Sequence, residues 1–156
     1  MSEFIGCNSP VGRLQIAIQR GRIAGVRLPG AAPTNPERAP EGPLEHRVLV
    51  QLDAYFADPR AAFDLPLVET GTRFQRRVWD RLRQIPSGFT LGYGELAHEL
   101  ETSARAVGNA CRANPWPILV PCHRVIGARG LGGYAGAVAG DRLEIKRWLL
   151  HHEGVR

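Results

Sequence analysis

Cys122 stands in the run Pro121-Cys122-His123-Arg124, directly after the apolar residues Ile118-Leu119-Val120. A cysteine attacks as its thiolate, and an ordinary thiol is mostly protonated at neutral pH. The histidine beside it can take that proton, and the arginine one residue further on can favour the anion. The three apolar residues are bounded by Pro117 and Pro121. They are expected to form a short buried strand that delivers the thiol to its C-terminal edge. A structural half-buried cysteine has the same local sequence, so the surrounding elements have to separate the two readings.

Those elements are mostly helical. Thr72 is expected to cap a helix with Phe74, Val78, Leu82 and Ile85 on one face and Arg73, Arg76, Arg77, Arg81 and Arg83 around the rest. Pro86 stops it, and Ser87-Gly88 makes a turn. After Tyr93 a short helix places Leu96 and Leu100 one turn apart. Glu101-Thr102-Ser103 separates it from a second helix whose inward residues are read as Ala104, Val107 and Cys111. Two short helices joined by about three residues form a helix-turn-helix arrangement. Small residues (Ala106, Gly108, Asn109) and two arginines (Arg105, Arg112) remain on the outside of the second helix. Small residues permit close approach to a groove, and an arginine in the first turn can reach into it. The same hairpin also serves as a plain packing unit, so this pattern by itself leaves DNA binding open. Asn114-Pro115 ends the second helix. Beyond Cys122, residues 125–134 hold Gly127, Gly130, Gly132 and Gly133, a flexible hairpin or loop able to wrap a flat ligand. Asp141 is expected to cap a last helix with Ile145, Trp148 and Leu149 facing inward, which closes at His151-His152-Glu153-Gly154.

The first part of the chain reads differently. Residues 13–18 and 23–28, around Arg20-Gly21-Arg22, predict an antiparallel hairpin. The proline-rich stretch 29–43 is expected to be a surface loop. Val48, Leu52, Tyr55 and Phe56 give residues 44–56 the spacing of an amphipathic helix, and residues 63–68 predict a further strand. No catalytic constellation falls here, so a scaffold role is expected.

Composition bounds these readings. A chain of 156 residues can bury a real core as one unit or two small ones. Residues 1–70 carry seven basic and eight acidic side chains, a balance of −1, and residues 71–156 carry thirteen and seven, a balance of +6. The second part is therefore the one that would meet a polyanion. Nearly all its cations are arginine, which suits forked contacts to phosphate; Lys146 is the single lysine. The cysteines Cys7, Cys111 and Cys122 are few, odd in number and without Cys-x-x-Cys spacing, which argues for a reducing compartment. With no stretch like a signal peptide and no apolar run long enough to span a bilayer, a cytoplasmic protein without membrane contact is expected.

From about Gly71 to Gly154 the residues resemble the O6-alkylguanine-DNA alkyltransferases, or methylated-DNA–protein-cysteine methyltransferases. The resemblance rests on Phe74-Gln75-Arg76-Arg77-Val78-Trp79, Tyr93, Ala104-Arg105-Ala106-Val107-Gly108 and Asn114-Pro115. It continues through Ile118-Leu119-Val120-Pro121-Cys122-His123-Arg124-Val125-Ile126-Gly127, Gly133-Tyr134-Ala135-Gly136 and Trp148-Leu149-Leu150 to Glu153-Gly154. It implies an α/β N-terminal domain over 1–70, a small antiparallel sheet with a helix, ribonuclease-H-like. It further implies a mainly α domain over 71–156, with a helix-turn-helix and short strands at the active site.

The activity implied is single-turnover transfer of an alkyl group from O6-alkylguanine, and from O4-alkylthymine, in double-stranded DNA to Cys122, after the damaged base is flipped through the minor groove. Cys122 matches the acceptor. His123 and Glu153 match a relay in which the carboxylate orients the imidazole and a water carries the cysteine proton. Arg105 matches the side chain that fills the gap left by the extruded base, on a DNA-binding face with Ala104, Ala106, Gly108 and Arg112. Tyr93 matches a residue that crowds the neighbouring phosphate and donates a proton toward the base. Asn114 matches a hinge amide. Val125, Tyr134 and Ala135 match the base pocket. Trp116 stands where smaller residues are familiar, which would narrow that pocket, and the stretch 137–145 is longer than in several members. Cys7 and His46 do not reproduce the zinc ligands of some members, so neither metal nor cofactor is expected, and the protein is expected to be a monomer. Two other readings compete: a lesion-binding protein without the acceptor cysteine, against which Cys122 speaks, and a cysteine hydrolase or redox enzyme, which needs no arginine-bearing helix-turn-helix.

Overall fold

The computed structural model describes residues 3–30, 34–128, 130–134 and 140–155. The chain divides into two compact units, Met1–Glu69 and Thr70–Arg156.

In the first unit, β1 (Glu3–Ser9), β2 (Gly12–Gln19) and β3 (Arg22–Arg27) form one antiparallel sheet in the order β1-β2-β3. The expected hairpin is β2–β3; β1, pairing Cys7 with Leu14, was not foreseen. β2 is buried along Leu14–Ile18 without alternation, so both of its faces are covered. One covering segment holds Gln15, whose amide donates to the Asn35 carbonyl (2.7 Å) and to Glu37 (2.9 Å). Helix α1 (Pro43–Ala57) begins with proline at its first turn, and buries Val48, Leu52 and Tyr55. Residues 63–68 are not a strand. Only Leu67 bridges to Ile23, because Pro66 has no N–H to continue a ladder.

In the second unit, α2 (Arg73–Leu82) starts where Thr72 caps it: the threonine hydroxyl accepts from the Gln75 N–H and the Gln75 side chain accepts from the Thr72 N–H. Two-residue β4 (Leu91–Gly92) leads into α3 (Tyr93–Glu99), and a turn joins this to α4 (Ala104–Arg112). Ser103 caps α4 by accepting from the Ala106 N–H. Trp79 fastens α2 to α4, its indole N–H donating to the Ala110 carbonyl at 2.8 Å. A 3-10 turn at Cys122–Arg124 precedes β5 (Val125–Ile126), which pairs in parallel with β4. Helix α5 (Asp141–His152) packs against that turn.

Four expectations are corrected here. The residues Ile118-Leu119-Val120 are buried, but they form a turn and not a strand. Val120 N–H donates to the Trp116 carbonyl, and Ile118 has φ 77°, a left-handed conformation no strand contains. Ala104 is exposed, and the inward stripe of α4 is Val107, Ala110 and Cys111. The N-cap of α5 is Gly140, with Asp141 already inside the first turn. Trp148 is only half-buried, stacked on His152, whereas Lys146 is fully buried.

Candidate active site

Three backbone devices hold Cys122. Pro121, with φ −80° and ψ 65°, makes an inverse γ-turn closed by the Cys122 N–H on the Val120 carbonyl at 2.8 Å. The buried Asn114 spans the loop: its amide donates to that same carbonyl at 2.9 Å and its oxygen accepts from the Trp116 N–H at 3.0 Å. Ile118 contributes the left-handed kink, a conformation costing about 1–3 kcal/mol for a side chain of this kind and tolerated where packing over-determines it. Only the C-cap residue Ala113 separates Asn114 from α4, so the end of that helix and the cysteine turn are one connected piece. Cys122 is 5% exposed. Burial raises its pKa, against which a hydrogen bond from Asn114 and the charge of Lys146 pull it down.

His123 and Glu153 meet in the interior. Nε2 of the imidazole lies 2.8 Å from Glu153 Oε2, with both side chains inaccessible to solvent. Arg124 forks onto the same carboxylate, donating at 2.8 Å and 2.9 Å, and also donates to the Ile85 carbonyl at 2.6 Å. A carboxylate clamped by two guanidinium N–H groups acts as acceptor, so the proton of the imidazole sits on Nε2. Nδ1 is then the acceptor nitrogen, and it has no protein partner among the described residues. Burial lowers the His123 pKa and Glu153 opposes that, so the ring is a neutral base at pH 7. Glu153 reaches this position as the residue that ends α5.

Tyr134 is buried with its ring edge-on to His123, centroids 6.5 Å apart, and Val125 is fully buried in β5. Tyr93, first in α3, is half-buried, its hydroxyl 3.5 Å from the Gly133 carbonyl. Its pKa is pushed up to about 12, chiefly by burial, so it keeps its proton throughout the working range. Trp116 is buried edge-on against Trp79 at 5.5 Å. Ala135 lies outside the described residues. On α4, Ala104, Arg105 and Arg112 are exposed and Ala106 and Gly108 half-exposed, and none of them belongs to the cysteine cluster. Cys7, Cys111 and Cys122 are all free and buried. No group of three His, Cys, Asp or Glu among the described residues is arranged to hold a metal ion.

Two participants escaped sequence reasoning. Arg124 was read as acting on the thiol, yet it grips Glu153. Lys146 was not singled out, although Leu143, Lys146 and Leu150 share the helix spacing of an apolar face, and a lone lysine there is a signal.

Residues 73–155 match the family model described as 6-O-methylguanine DNA methyltransferase, DNA binding domain. The chain belongs to this family. A methylated-DNA–protein-cysteine methyltransferase of Methanosarcina acetivorans is 50% identical over 107 residues, covering 67% of this chain and 65% of the relative. The chain thus spans just under two thirds of that methyltransferase. A DNA base-flipping protein of Thermus thermophilus is 44% identical over 151 residues, covering 94% of this chain and 96% of its own length. The crystal structure of Mycobacterium tuberculosis OGT in complex with DNA superposes with a TM-score of 0.81 at 38% identity, covering 97% of this chain and 93% of that one. The likeness therefore takes in the small antiparallel sheet of the first unit as well as the helical second unit. No helix among the described residues is long and apolar enough to cross a membrane.

Proposed function

We propose that this chain repairs alkylated DNA by direct reversal, moving one methyl or small alkyl group from O6 of guanine in a duplex, and from O4-alkylthymine, to Cys122. The observation that carries this reading is the buried Cys122 next to His123, whose base nitrogen has no protein partner among the described residues while its other nitrogen is fixed by Glu153. That arrangement suits removal of the thiol proton to Nδ1 of His123 through a water. The thiolate then attacks the alkyl carbon; the sulfur–carbon bond forms as the carbon–oxygen bond breaks, and the base leaves with the electron pair. Tyr93, which keeps its proton to about pH 12, is the donor toward that base. A thioether has no ready route back, so each molecule acts once.

The first unit is read as a ribonuclease-H-like scaffold. The pair α3–α4 is read as a helix-turn-helix whose outer face, Ala104, Arg105, Ala106, Gly108 and Arg112, enters the minor groove with Arg105 in the place of the flipped base. Tyr93 stands near the phosphate, Asn114 joins the helix to the reactive turn, and Val125, Tyr134, Ala135 and Trp116 bound the pocket. The DNA-bound structural relative and the base-flipping relative support this assignment. Free, unpaired cysteines suit a cytoplasmic monomer. The second reading, a base-flipping protein without chemistry, gains from the Thermus relative's name; Cys122 and its buried acid–base partners count against it.

Intact mass after mixing with duplex DNA holding O6-methylguanine decides between them. One methyl per chain is expected, with no further turnover, on the tryptic peptide that ends at Arg124. An unmodified chain, or methyl on Cys7 or Cys111, rules the reading out. Affinity for duplex DNA should also fall steeply as salt rises and depend little on sequence, since the basic second unit displaces condensed counterions. A filter-binding titration that is flat in salt removes the proposed surface.

A further inference from the structure

Among the described residues of the second unit, Lys146 is the one charged side chain that is fully buried and that the proposed chemistry does not use. Its ammonium donates to three main-chain carbonyls: Val125 at 2.8 Å, Gly133 at 2.9 Å, and Leu131. An ammonium has three N–H donors and no acceptor, so this set satisfies it completely. The carbonyls belong to the segment between the cysteine turn and Tyr134. The nitrogen also lies 5.8 Å from the centre of the Tyr93 ring, whose hydroxyl points to the same Gly133 carbonyl. Burying an ammonium costs several kcal/mol unless its donors are matched this well.

The choice of residue is itself informative. The chain has 20 basic side chains and places its single lysine here. A planar guanidinium spreads its five donors in one rigid plane and fits a compact cup of carbonyls less well than an ammonium does. A compact positive charge that fits a tetrahedral cradle is what this position selects.

The charge has few neighbours to answer to. Cys122 and His123 face it from the 3-10 turn, Cys111 from α4 and Tyr93 from α3; Arg124 and Glu153 lie beyond His123. Burial depresses the Lys146 pKa to about 8, and Cys122 and then Cys111 hold it up. Reciprocally, Lys146 lowers the pKa of the Cys122 thiol. Burial pushes both thiols up, Cys111 to about 12, and Lys146 pulls against this at each, joined at Cys122 by a hydrogen bond from Asn114. The anion that the proposed transfer requires is the thiolate of Cys122.

We propose that Lys146 is the positioning residue of the acceptor site: its buried ammonium pins the main chain at Val125, Leu131 and Gly133 and, from that fixed place, stabilises the Cys122 thiolate. This rests on Cys122 being the acceptor, but the test needs neither DNA nor methyl transfer. Trypsin separates Cys111, in the peptide from Ala106 to Arg112, from Cys122, in the peptide from Ala113 to Arg124. The rate of iodoacetamide alkylation of each can thus be followed against pH. In Lys146→Met the Cys122 curve should move up by at least about one pH unit, a roughly tenfold slower reaction at neutral pH. An unmoved curve in a variant with native circular dichroism overturns the proposal.

A second measurement keeps the native lysine. Protein carrying lysine labelled with carbon-13 at Cε gives one resonance, whose titration midpoint should fall when Cys122→Ser removes the anionic partner, because the coupling is mutual. An identical midpoint in both proteins also overturns the proposal. Methyl found on Cys122 together with an unmoved thiol curve defeats this inference alone. A shifted curve with no methyl accepted from DNA defeats the repair reading and leaves the coupling intact.

Discussion

Arg105→Ala lowers repair of O6-methylguanine in duplex DNA by about a hundredfold or more, yet leaves the reaction of Cys122 with free O6-benzylguanine nearly unchanged. Arg105 is exposed in the first turn of α4, which Ser103 caps independently of it, so truncation costs the fold little. Flipping a base costs a few kcal/mol of stacking and pairing. Without a side chain to occupy the gap that cost is no longer offset, and about 2.7 kcal/mol is a hundredfold in rate. A free base needs no flipping, so its reaction reports on the thiol alone, given that Trp116 admits the benzyl ring. Single-turnover kinetics with both substrates make the comparison. Equal slowing of the two would move Arg105 into the reactive pocket and end its assignment to DNA.

Glu153→Gln gives the complementary pattern: both substrates react roughly a hundredfold more slowly, in line with the loss of general acid–base assistance, and duplex affinity stays as it was. The amide oxygen can still accept from Nε2 of His123, so the ring keeps its place, but the charge that made the imidazole more basic is gone. The sign of the pH effect follows. In the native protein burial depresses the His123 pKa below its usual value of 6.5. The rate should therefore hold across neutral pH and fall only as pH drops through that depressed pKa, when Nδ1 takes a proton and can no longer receive one. In Glu153→Gln the acid limb moves to still lower pH while the plateau sinks. The same linkage makes His123 destabilising in acid, because below pH 6.5 the unfolded chain binds a proton that the folded one resists. A variant with an unchanged plateau would reduce Glu153 to a structural partner of Arg124.

How far the sequence revealed these features depended on how local each one is. Thr72 and Gln75 announce the start of α2 because both halves of a capping box lie within four residues. The β2–β3 hairpin and α1 were likewise visible in period-two and helical spacing. Ile118-Leu119-Val120 misled, since three apolar residues between prolines look like a strand, and nothing in their identity reveals that Ile118 turns left-handed. In α4 the apolar stripe was set one step off, because Ala104 and Ala110 are indistinguishable by composition and only packing against Trp79 chooses between them. The pairing of His123 with Glu153 spans 30 residues, beyond any periodicity, and was expected only through family resemblance. Lys146 escaped because a cation on a helix is ordinarily read as solvated, and the cradle that receives it is built of main-chain carbonyls, which leave no trace in side-chain identity.

That cradle has a consequence for anyone handling the protein. Its only lysine is fully buried, so the folded chain offers no ε-amine to solvent. Acylating dyes, amine cross-linkers and surface-coupling esters must pass its side chains by, and a mass increase at Lys146 can arise only when the second unit opens. The residue is therefore a ready-made clock: the rate of its acylation reads the frequency of that opening, with no label introduced and no other lysine to confuse the count.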